Sequence, residues 1–156
     1  MDESELRWLA PLATGVLFVA LWVGVFQLLA RFGGWRELAR AYPPLGIAGA
    51  GAGETFRMRS VQLRRGTNYN NCVTLTAGPA VLRLALPWLF AWGHPPIEVP
   101  WSEIETEAGR SFFVRLVTLR CARAPAVPVR VRPRLAETLA RASGGRLRLP
   151  PAGAGG

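Results

Sequence analysis

WLAPLATGVLFVALWVGVFQLLA (residues 8–30) contains no charged side chain, and Gln27 is its only strongly polar residue. At about 1.5 Å of rise per residue, a helix of this length matches a hydrocarbon core of roughly 30 Å. Trp8 and Trp35 flank the stretch, as aromatic residues often do at membrane interfaces. The stretch therefore predicts a single-pass transmembrane α-helix, and we interpret residues 1–32 as an N-terminal membrane anchor.

Two other interpretations fit the apolar stretch less well. A cleaved signal peptide has a basic start, whereas Asp2, Glu3 and Glu5 outnumber Arg7 here, and the apolar run is longer than a signal peptide needs. A helix that is apolar on every face can also be the core of a soluble domain, but it then needs a larger protein around it. The membrane interpretation is therefore preferred.

The arginines that flank the span predict its orientation. One arginine precedes the span, whereas three follow it within ten residues: Arg31, Arg36 and Arg40. Because basic residues are retained on the cytoplasmic side, the domain after the span is expected in the cytoplasm, at the inner face of the plasma membrane. A reducing cytoplasm favours free thiols at Cys72 and Cys121.

Residues 33–53 are interpreted as a juxtamembrane segment and a flexible linker. GGWRELARAY (33–42) is amphipathic, and two interpretations of it remain open. It either lies along the headgroup interface with its arginines near anionic lipid, or extends the anchor helix until Pro43 and Pro44 stop it. LGIAGAGAG (45–53) has the small, glycine-rich composition of a flexible tether.

From Glu54 onward, apolar and polar residues alternate in short runs, which is typical of β-strands separated by turns. A change of parity near Ser60 indicates a bulge in the first run. GTNYNN (66–71) is predicted to be a turn, and Gly109-Arg110 is predicted to end the fifth run. The predicted strands lie at 56–63, 72–76, 82–86, 97–101, 104–107, 112–121 and 127–131.

After the seventh run, the spacing of apolar residues changes from the period of two of a strand to the i,i+4 spacing of a helix. In RPRLAETLARA (132–142), Leu135 and Leu139 share one face at i,i+4 spacing, Pro133 suits the first helical position, and Gly144-Gly145 ends the pattern. Residues 146–156 are predicted to be a disordered tail. The expected fold is therefore a transmembrane α-helix followed by a mainly-β domain over residues 54–145, in which a C-terminal helix plugs a seven-stranded antiparallel sandwich or open barrel.

One segment carries a family resemblance. HPPIEVPWSEIETE (94–107) resembles the stretch in small bacterial membrane-anchored proteins where an apolar strand ends in a "PWSEI"-type phrase before a short acidic strand. These proteins have pleckstrin-homology-like (PH-like) or GRAM-like domains, and many are uncharacterised. The resemblance implies a PH-like fold over about residues 54–145, but a fold alone does not fix a function.

The composition argues against an enzyme. The chain has 19 basic and 10 acidic residues, a net charge of +9, and every basic residue is arginine. Asp2 is the only aspartate and His94 the only histidine, so a Ser-His-Asp triad or a carboxylate-histidine metal site lacks partners. His94 is interpreted as a loop residue, and we expect no catalytic residues, metal site or cofactor.

Four arginines are the candidate site for an anion or lipid headgroup. In PH domains that bind phosphoinositides, basic residues gather on the first strand and the loop after it, and the planar guanidinium suits phosphate. The alternative, which the arginine-free second strand favours, is a solvated basic face that follows anionic lipid loosely. The candidates at matching positions are Arg57, Arg59, Arg64 and Arg65.

PWLFAW (87–92) is an aromatic connection between the third and fourth strands. Three interpretations remain open: it enters the membrane interface, docks a protein, or packs against Trp101 or the anchor. The candidate contact residues are Trp88, Leu89, Phe90 and Trp92.

Together these features predict a non-catalytic, membrane-tethered PH-like module that acts as a scaffold or sensor at an anionic membrane surface. The alternative is a protein-interaction subunit of a membrane complex without lipid recognition. The expected partners are the bilayer through the anchor, anionic headgroups and a membrane protein. Nucleic acid is disfavoured, because no nucleic-acid motif accompanies the charge.

Overall fold

The computed structural model describes residues 3–46, 49 and 51–151, and the side chains of these residues except 3–6 and Arg65. Helices α1 and α2 precede a sheet of seven strands, and α3 follows it. The helices are α1 (Glu3–Phe32), α2 (Trp35–Ala41) and α3 (Pro133–Ala142). The strands are β1 (Glu54–Gln62), β2 (Asn68–Ala77), β3 (Val81–Ala85), β4 (Ile97–Pro100), β5 (Ile104–Ser111), β6 (Val114–Cys121) and β7 (Val129–Val131).

The strands form one antiparallel sheet in the order β4-β3-β2-β1-β7-β6-β5. It consists of two meanders, β1–β4 and β5–β7, joined where β1 meets β7 through the pair Gln62↔Arg130. The sheet curls into a half-barrel with edge strands β4 and β5. The prediction of seven antiparallel strands followed by a C-terminal helix is confirmed.

Two predicted strand boundaries are wrong. GTNYNN was expected to be a turn, but β2 begins at Asn68, and the turn is shortened to a 3₁₀ turn over Arg64–Gly66. β5 continues to Ser111 instead of ending at Gly109-Arg110, so the hairpin tip falls at Phe112 and Phe113. Phe112 takes a φ of 55°, a left-handed conformation that sequence patterns assign to glycine or asparagine.

The predicted bulge in the first strand is present. The register of β1 on β2 shifts between Phe56 and Arg59 and again between Arg59 and Val61. Phe56 and Val61, both buried, are five residues apart. An odd spacing cannot place two side chains on one face of a regular strand, so the extra residue of the bulge lets both reach the core.

Helix α2 belongs to the core of the half-barrel. Trp35, Leu38 and Tyr42 are at most 1 % exposed and pack in the same cluster as the sheet's apolar face. The chain after α2 lies along the open edge of the sheet at β4. There the carbonyl of Tyr42 accepts a hydrogen bond from the amide of Glu98. The Tyr42 hydroxyl accepts another, from the amide of Arg123 beyond β6, at 2.8 Å.

Neither sequence-based interpretation of residues 33–42 placed α2 in this core. Gly33 and Gly34 break the helix between α1 and α2. Glycine is needed at both positions because neighbouring atoms leave no room for a β-carbon. A β-carbon on Gly34, whose φ is 90°, would lie 2.8 Å from Cγ1 of Val127. Residues 47, 48 and 50 of the predicted tether lie outside the described residues.

At the other end, α3 buries Leu135, Ala136 and Leu139 against the sheet, as its pattern predicted. Gly144 and Gly145 follow with positive φ. The prediction of disorder from residue 146 is wrong for the next residues, because Leu147 is 2 % exposed and the carbonyl of Arg148 accepts a hydrogen bond from the Thr106 hydroxyl on edge strand β5. Residues 152–156 of that tail lie outside the described residues.

Helix α1 is long and apolar enough to cross a membrane over Arg7–Phe32, with a mean hydropathy of 2.2 in its most apolar window. The same length and composition occur in signal sequences and in some core helices. None of that window is buried, so the half-barrel does not enclose it as it would a core helix. Its C-terminal end, by contrast, contacts the half-barrel, and Ala30 is fully buried.

Candidate functional site

The end of α1 packs on the loop between β3 and β4. The ring of Phe90 lies 5.1 Å from that of Phe26 and 5.6 Å from that of Trp22, measured between centroids. Phe26 also meets the ring of His94 edge-on at 6.3 Å. Such tilted aromatic contacts are favourable, so they hold this loop beside the last three turns of α1.

A polar contact fixes the same junction. The side-chain oxygen Oε1 of Gln27 accepts a hydrogen bond from the guanidinium of Arg36 on α2. Gly93 makes room for this amide, because a β-carbon there would lie 2.5 Å from Oε1 of Gln27. The only strongly polar residue of the apolar stretch therefore joins α1, α2 and the β3–β4 loop.

The rest of the aromatic loop faces outward. Trp88 is 80 % exposed and Trp92 66 % exposed, and Leu89 is also exposed. The loop was expected to pack against Trp101 or the apolar helix. Of its four candidate residues, Phe90 alone does so, and it packs against α1. Trp101 is buried elsewhere and donates its indole N–H to the carbonyl of Gly78.

A basic cluster surrounds the start of the half-barrel. The side chains of Arg31, Arg36, Glu37 and Arg40 line a shallow cavity of about 470 Å³ where α1 meets α2. Arg64, in the β1–β2 loop, pairs with Glu37 at 2.7 Å. We call Arg31, Arg36, Arg40 and Arg64 the anchor-side arginines; with Glu37 they carry a net charge of +3.

Of the predicted anion-binding arginines, the three whose side chains are described are not brought together. Arg64 joins the anchor-side arginines, whereas Arg59 lines a separate cavity with Arg132 and Arg134 near α3. Arg57 is exposed on β1, and the side chain of Arg65 lies outside the described side chains. Arg36 and Arg40, which share one helix face at i,i+4 spacing, were expected near anionic lipid in one interpretation of residues 33–42 but were not included among the candidate site residues.

His94 is buried at the centre of the loop junction, with 1 % of its surface exposed. Its Nε2 lies 3.1 Å from the hydroxyl of Tyr69, and its Nδ1 lies 3.4 Å from the carbonyl of Trp92. Trp35 packs on its ring and donates its indole N–H to the carbonyl of Pro95 at 2.9 Å. His94 thus ties the β3–β4 loop to α2 and β2.

We expect acid to destabilise this junction. Burial lowers the pKa of His94 below its usual 6.5, and the nearby charge of Arg36 acts in the same direction, against a hydrogen bond to the Trp92 carbonyl. The unfolded chain then binds a proton at a higher pH than the folded one, so the free energy of unfolding falls as pH drops below about 6.5. Denaturant unfolding at a series of pH values from 8 to 5 measures the slope of the free energy of unfolding against pH.

The matched variant is His94→Gln, which keeps hydrogen-bonding capacity and does not titrate. Its slope of unfolding free energy against pH should be flatter than that of the parent chain between pH 6.5 and pH 5. Equal slopes would show that another group causes the acid response. The pKa of Glu103 is lowered below its usual 4.5, chiefly by its hydrogen bond to Arg123. The stability that Glu103 contributes is therefore lost only below pH 4.5, outside this window.

Cys72 and Cys121 are free thiols, and burial raises the pKa of the Cys121 thiol to about 12. Within the described residues, no group of three or more histidine, cysteine, aspartate or glutamate side chains is placed to hold a metal ion. In comparisons with known proteins, no family model, no curated protein and no solved structure matches this chain.

Proposed function

We propose that the protein is a non-catalytic, membrane-tethered PH-like module that holds the loop end of its half-barrel against an anionic membrane surface, as a scaffold or sensor. One observation carries the proposal: the β3–β4 loop packs along the last turns of the apolar helix α1. If α1 spans the bilayer, this loop lies at the membrane interface.

The depth follows from helix geometry. Trp22 precedes the end of α1 at Phe32 by ten residues, which is about 15 Å along the helix axis. Phe90 contacts both Trp22 and Phe26, so it lies about 9–15 Å before the end of α1 along the helix axis, on the side of the apolar stretch. The proposal assigns the neighbouring, exposed Trp88 and Trp92 to the boundary between headgroups and hydrocarbon, where tryptophan is most favourable.

The charge at the same end supports an anionic surface. The anchor-side arginines lie on the end of α1, on α2 and in the β1–β2 loop, and each basic residue near an anionic surface contributes about 1 kcal/mol. The flanking arginines also support a cytoplasmic half-barrel at the inner face of the plasma membrane. A domain held there responds to changes in the anionic lipid content of that leaflet.

The strand arrangement supports a PH-like assignment. Seven antiparallel strands in two meanders, followed by a helix that packs its apolar face on the curled sheet, are the arrangement that the resemblance of residues 94–107 implies. The described arginines among those that the resemblance suggested as a single headgroup site, Arg57, Arg59 and Arg64, are dispersed, so a charged surface and an aromatic loop support the proposal instead.

A second candidate function is protein docking by the β5–β6 hairpin tip. Phe112 and Phe113 are 95 % and 99 % exposed, and exposed aromatic pairs are characteristic of interaction surfaces. This observation favours the alternative of a protein-interaction subunit of a membrane complex.

Vesicle binding tests the proposed function. Residues 33–151, which lack the span but keep α2, should bind anionic vesicles at low salt, more weakly at physiological salt, and not bind neutral vesicles. The double change Arg36→Gln/Arg40→Gln should remove about 2 kcal/mol and weaken binding about 30-fold.

A control pair with the same charge change lies on β6 and α3: Arg120→Gln/Arg141→Gln. It should weaken binding by much less, because neither residue belongs to the anchor-side arginines. Equal binding to neutral and anionic vesicles would contradict the anionic-surface function. Binding that survives high salt and requires Trp88 or Trp92 would instead favour an apolar interface or a protein partner.

A further inference from the structure

A polar groove separates β1 and β2 from β6, β7 and α3. It consists of two adjoining cavities of about 620 and 500 Å³ that share Ser60, Asn70 and Arg132. Small-molecule sites have volumes of this order, about 300–1,000 Å³. The groove is lined by residues distinct from the anchor-side arginines and from the β3–β4 loop.

Four arginines line this groove: Arg59, Arg130, Arg132 and Arg134. No aspartate or glutamate is among the described lining residues. The ion pairs between described residues use other arginines, namely Arg64, Arg83, Arg120 and Arg123. The positive charge of the groove is therefore not compensated by these pairs, and the mutual repulsion of its arginines would be relieved by a bound anion.

The bulge between β1 and β2 builds one wall of the groove. In a regular strand, successive side chains point to opposite faces, yet Met58, Arg59 and Ser60 all line the same cavity, as do Asn70 and Asn71. Met58 and Asn71 have φ values of 55° and 50°, which re-aim the side chains.

The bulge is also held in place by its own hydrogen bonds. The Ser60 hydroxyl accepts a hydrogen bond from the amide of Asn71 and donates one to its side-chain oxygen, both at 3.0 Å. A left-handed backbone at a residue such as Met58 costs about 1–3 kcal/mol, and strained positions of this kind cluster at ligand sites. Here the bulge adds an arginine and two amides to one wall.

We infer that this groove binds an anion that carries two or more phosphate groups. Guanidinium groups bind phosphate oxygens in a bidentate manner, and the amides of Asn70 and Asn71 add neutral donors. Four positive charges, with no carboxylate among the described lining residues, match at least two phosphates. This inference goes beyond the proposed function, because the site needs neither the aromatic loop nor the anchor-side arginines.

The phosphates can belong to a lipid headgroup or to a soluble molecule. One end of the groove reaches Gly66, and the next residue, Thr67, packs against Gly33 at the end of α1. A lipid beside the anchor would therefore be close to the groove. A soluble phosphate compound would enter from the solvent side, where Arg132 and Arg134 are exposed.

The test uses the full chain in a neutral detergent. One arm measures radiolabelled pyrophosphate by equilibrium dialysis; the other measures retained cardiolipin, a lipid with two phosphates, by native mass spectrometry. Arg59→Gln/Arg132→Gln should weaken binding about 100-fold, since hydrogen bonds to charged groups are each worth about a tenfold change. Arg120→Gln/Arg141→Gln, with the same loss of charge outside the groove, should leave binding within about threefold.

Each outcome is decisive. Pyrophosphate binding that is lost only in the groove variant assigns the site to soluble phosphates, and cardiolipin binding with the same dependence assigns it to a lipid headgroup. Equal losses in both variants, or no binding of either probe, would overturn the site. Arg36→Gln/Arg40→Gln separates this site from the proposed membrane surface, because it should weaken vesicle binding and leave pyrophosphate binding unchanged.

Discussion

Replacing Trp35 with alanine is expected to lower the free energy of unfolding by about 3–5 kcal/mol. Trp35 is completely buried among α2, Tyr69 and His94, and its indole N–H donates to the carbonyl of Pro95. The alanine variant would lose the buried ring and leave the Pro95 carbonyl without this donor. A domain of this size is stable by only about 5–15 kcal/mol, so the loss is a large part of the total.

Denaturant unfolding of residues 33–151, followed by near-ultraviolet circular dichroism, measures this change. Trp88→Ala is the matched control, because it removes the same side chain from a position that is 80 % exposed. The control should change the free energy of unfolding by less than about 0.5 kcal/mol. Similar small losses in both variants would show that α2 is not part of the half-barrel's core.

The second large effect concerns where the folded unit begins. A fragment that starts at Glu54 lacks Trp35, Leu38 and Tyr42, three large side chains that are at most 1 % exposed. It also lacks the backbone and side-chain hydrogen bonds that Tyr42 makes to Glu98 and Arg123. We expect this fragment to lose cooperative unfolding, because burial of these three side chains contributes about 5–9 kcal/mol, which is comparable to the whole stability of a small domain.

Two fragments measure this effect side by side: residues 33–151 and residues 54–151. The longer one should unfold in a single cooperative denaturant transition and the shorter one without a transition. Cooperative unfolding of both, with similar midpoints, would contradict the assignment of α2 to the core and would restore its interpretation as a separate juxtamembrane segment.

Local pattern was sufficient for the sheet and for α3. Period-two alternation depends on one buried face, and Leu82, Leu84, Val129 and Val131 follow it. The parity change at Ser60 correctly indicated a bulge for the same reason. Leu135 and Leu139 showed the face of α3, since a short amphipathic helix has few other ways to bury two leucines.

The position of α2 could not be read in the same way. Trp35, Leu38 and Ala39 form an apolar stripe that suits a membrane interface and a protein core equally well. Only the open edge of the half-barrel, a property of the whole sheet, decides between them. Likewise, the GTNYNN segment has turn composition, but Tyr69 is buried against His94 and Trp35, and this tertiary contact outweighs the local preference.

The candidate site was found in part. The aromatic residues of 87–92 were visible as a cluster in the sequence. Their position beside α1 depends on the contact between Phe90 and Phe26, which are far apart in sequence. The arginines at 57, 59, 64 and 65 were taken as one group because PH domains that bind phosphoinositides gather basic residues on the first strand and the loop after it. The bulge instead sends Arg59 toward α3, while Arg64 pairs with Glu37 of α2.

The depth of the β3–β4 loop in a bilayer tests the central proposal most directly. A spin label on cysteine would be placed by Trp92→Cys in the full chain, with Cys72 and Cys121 changed to alanine, reconstituted in anionic nanodiscs. Leu17→Cys in the apolar stretch of α1 and Arg141→Cys on α3 provide the apolar and aqueous references. We expect the label at position 92 to collide with oxygen more than with a water-soluble nickel complex, at a depth between the references. Aqueous behaviour equal to that of position 141 would contradict the central proposal.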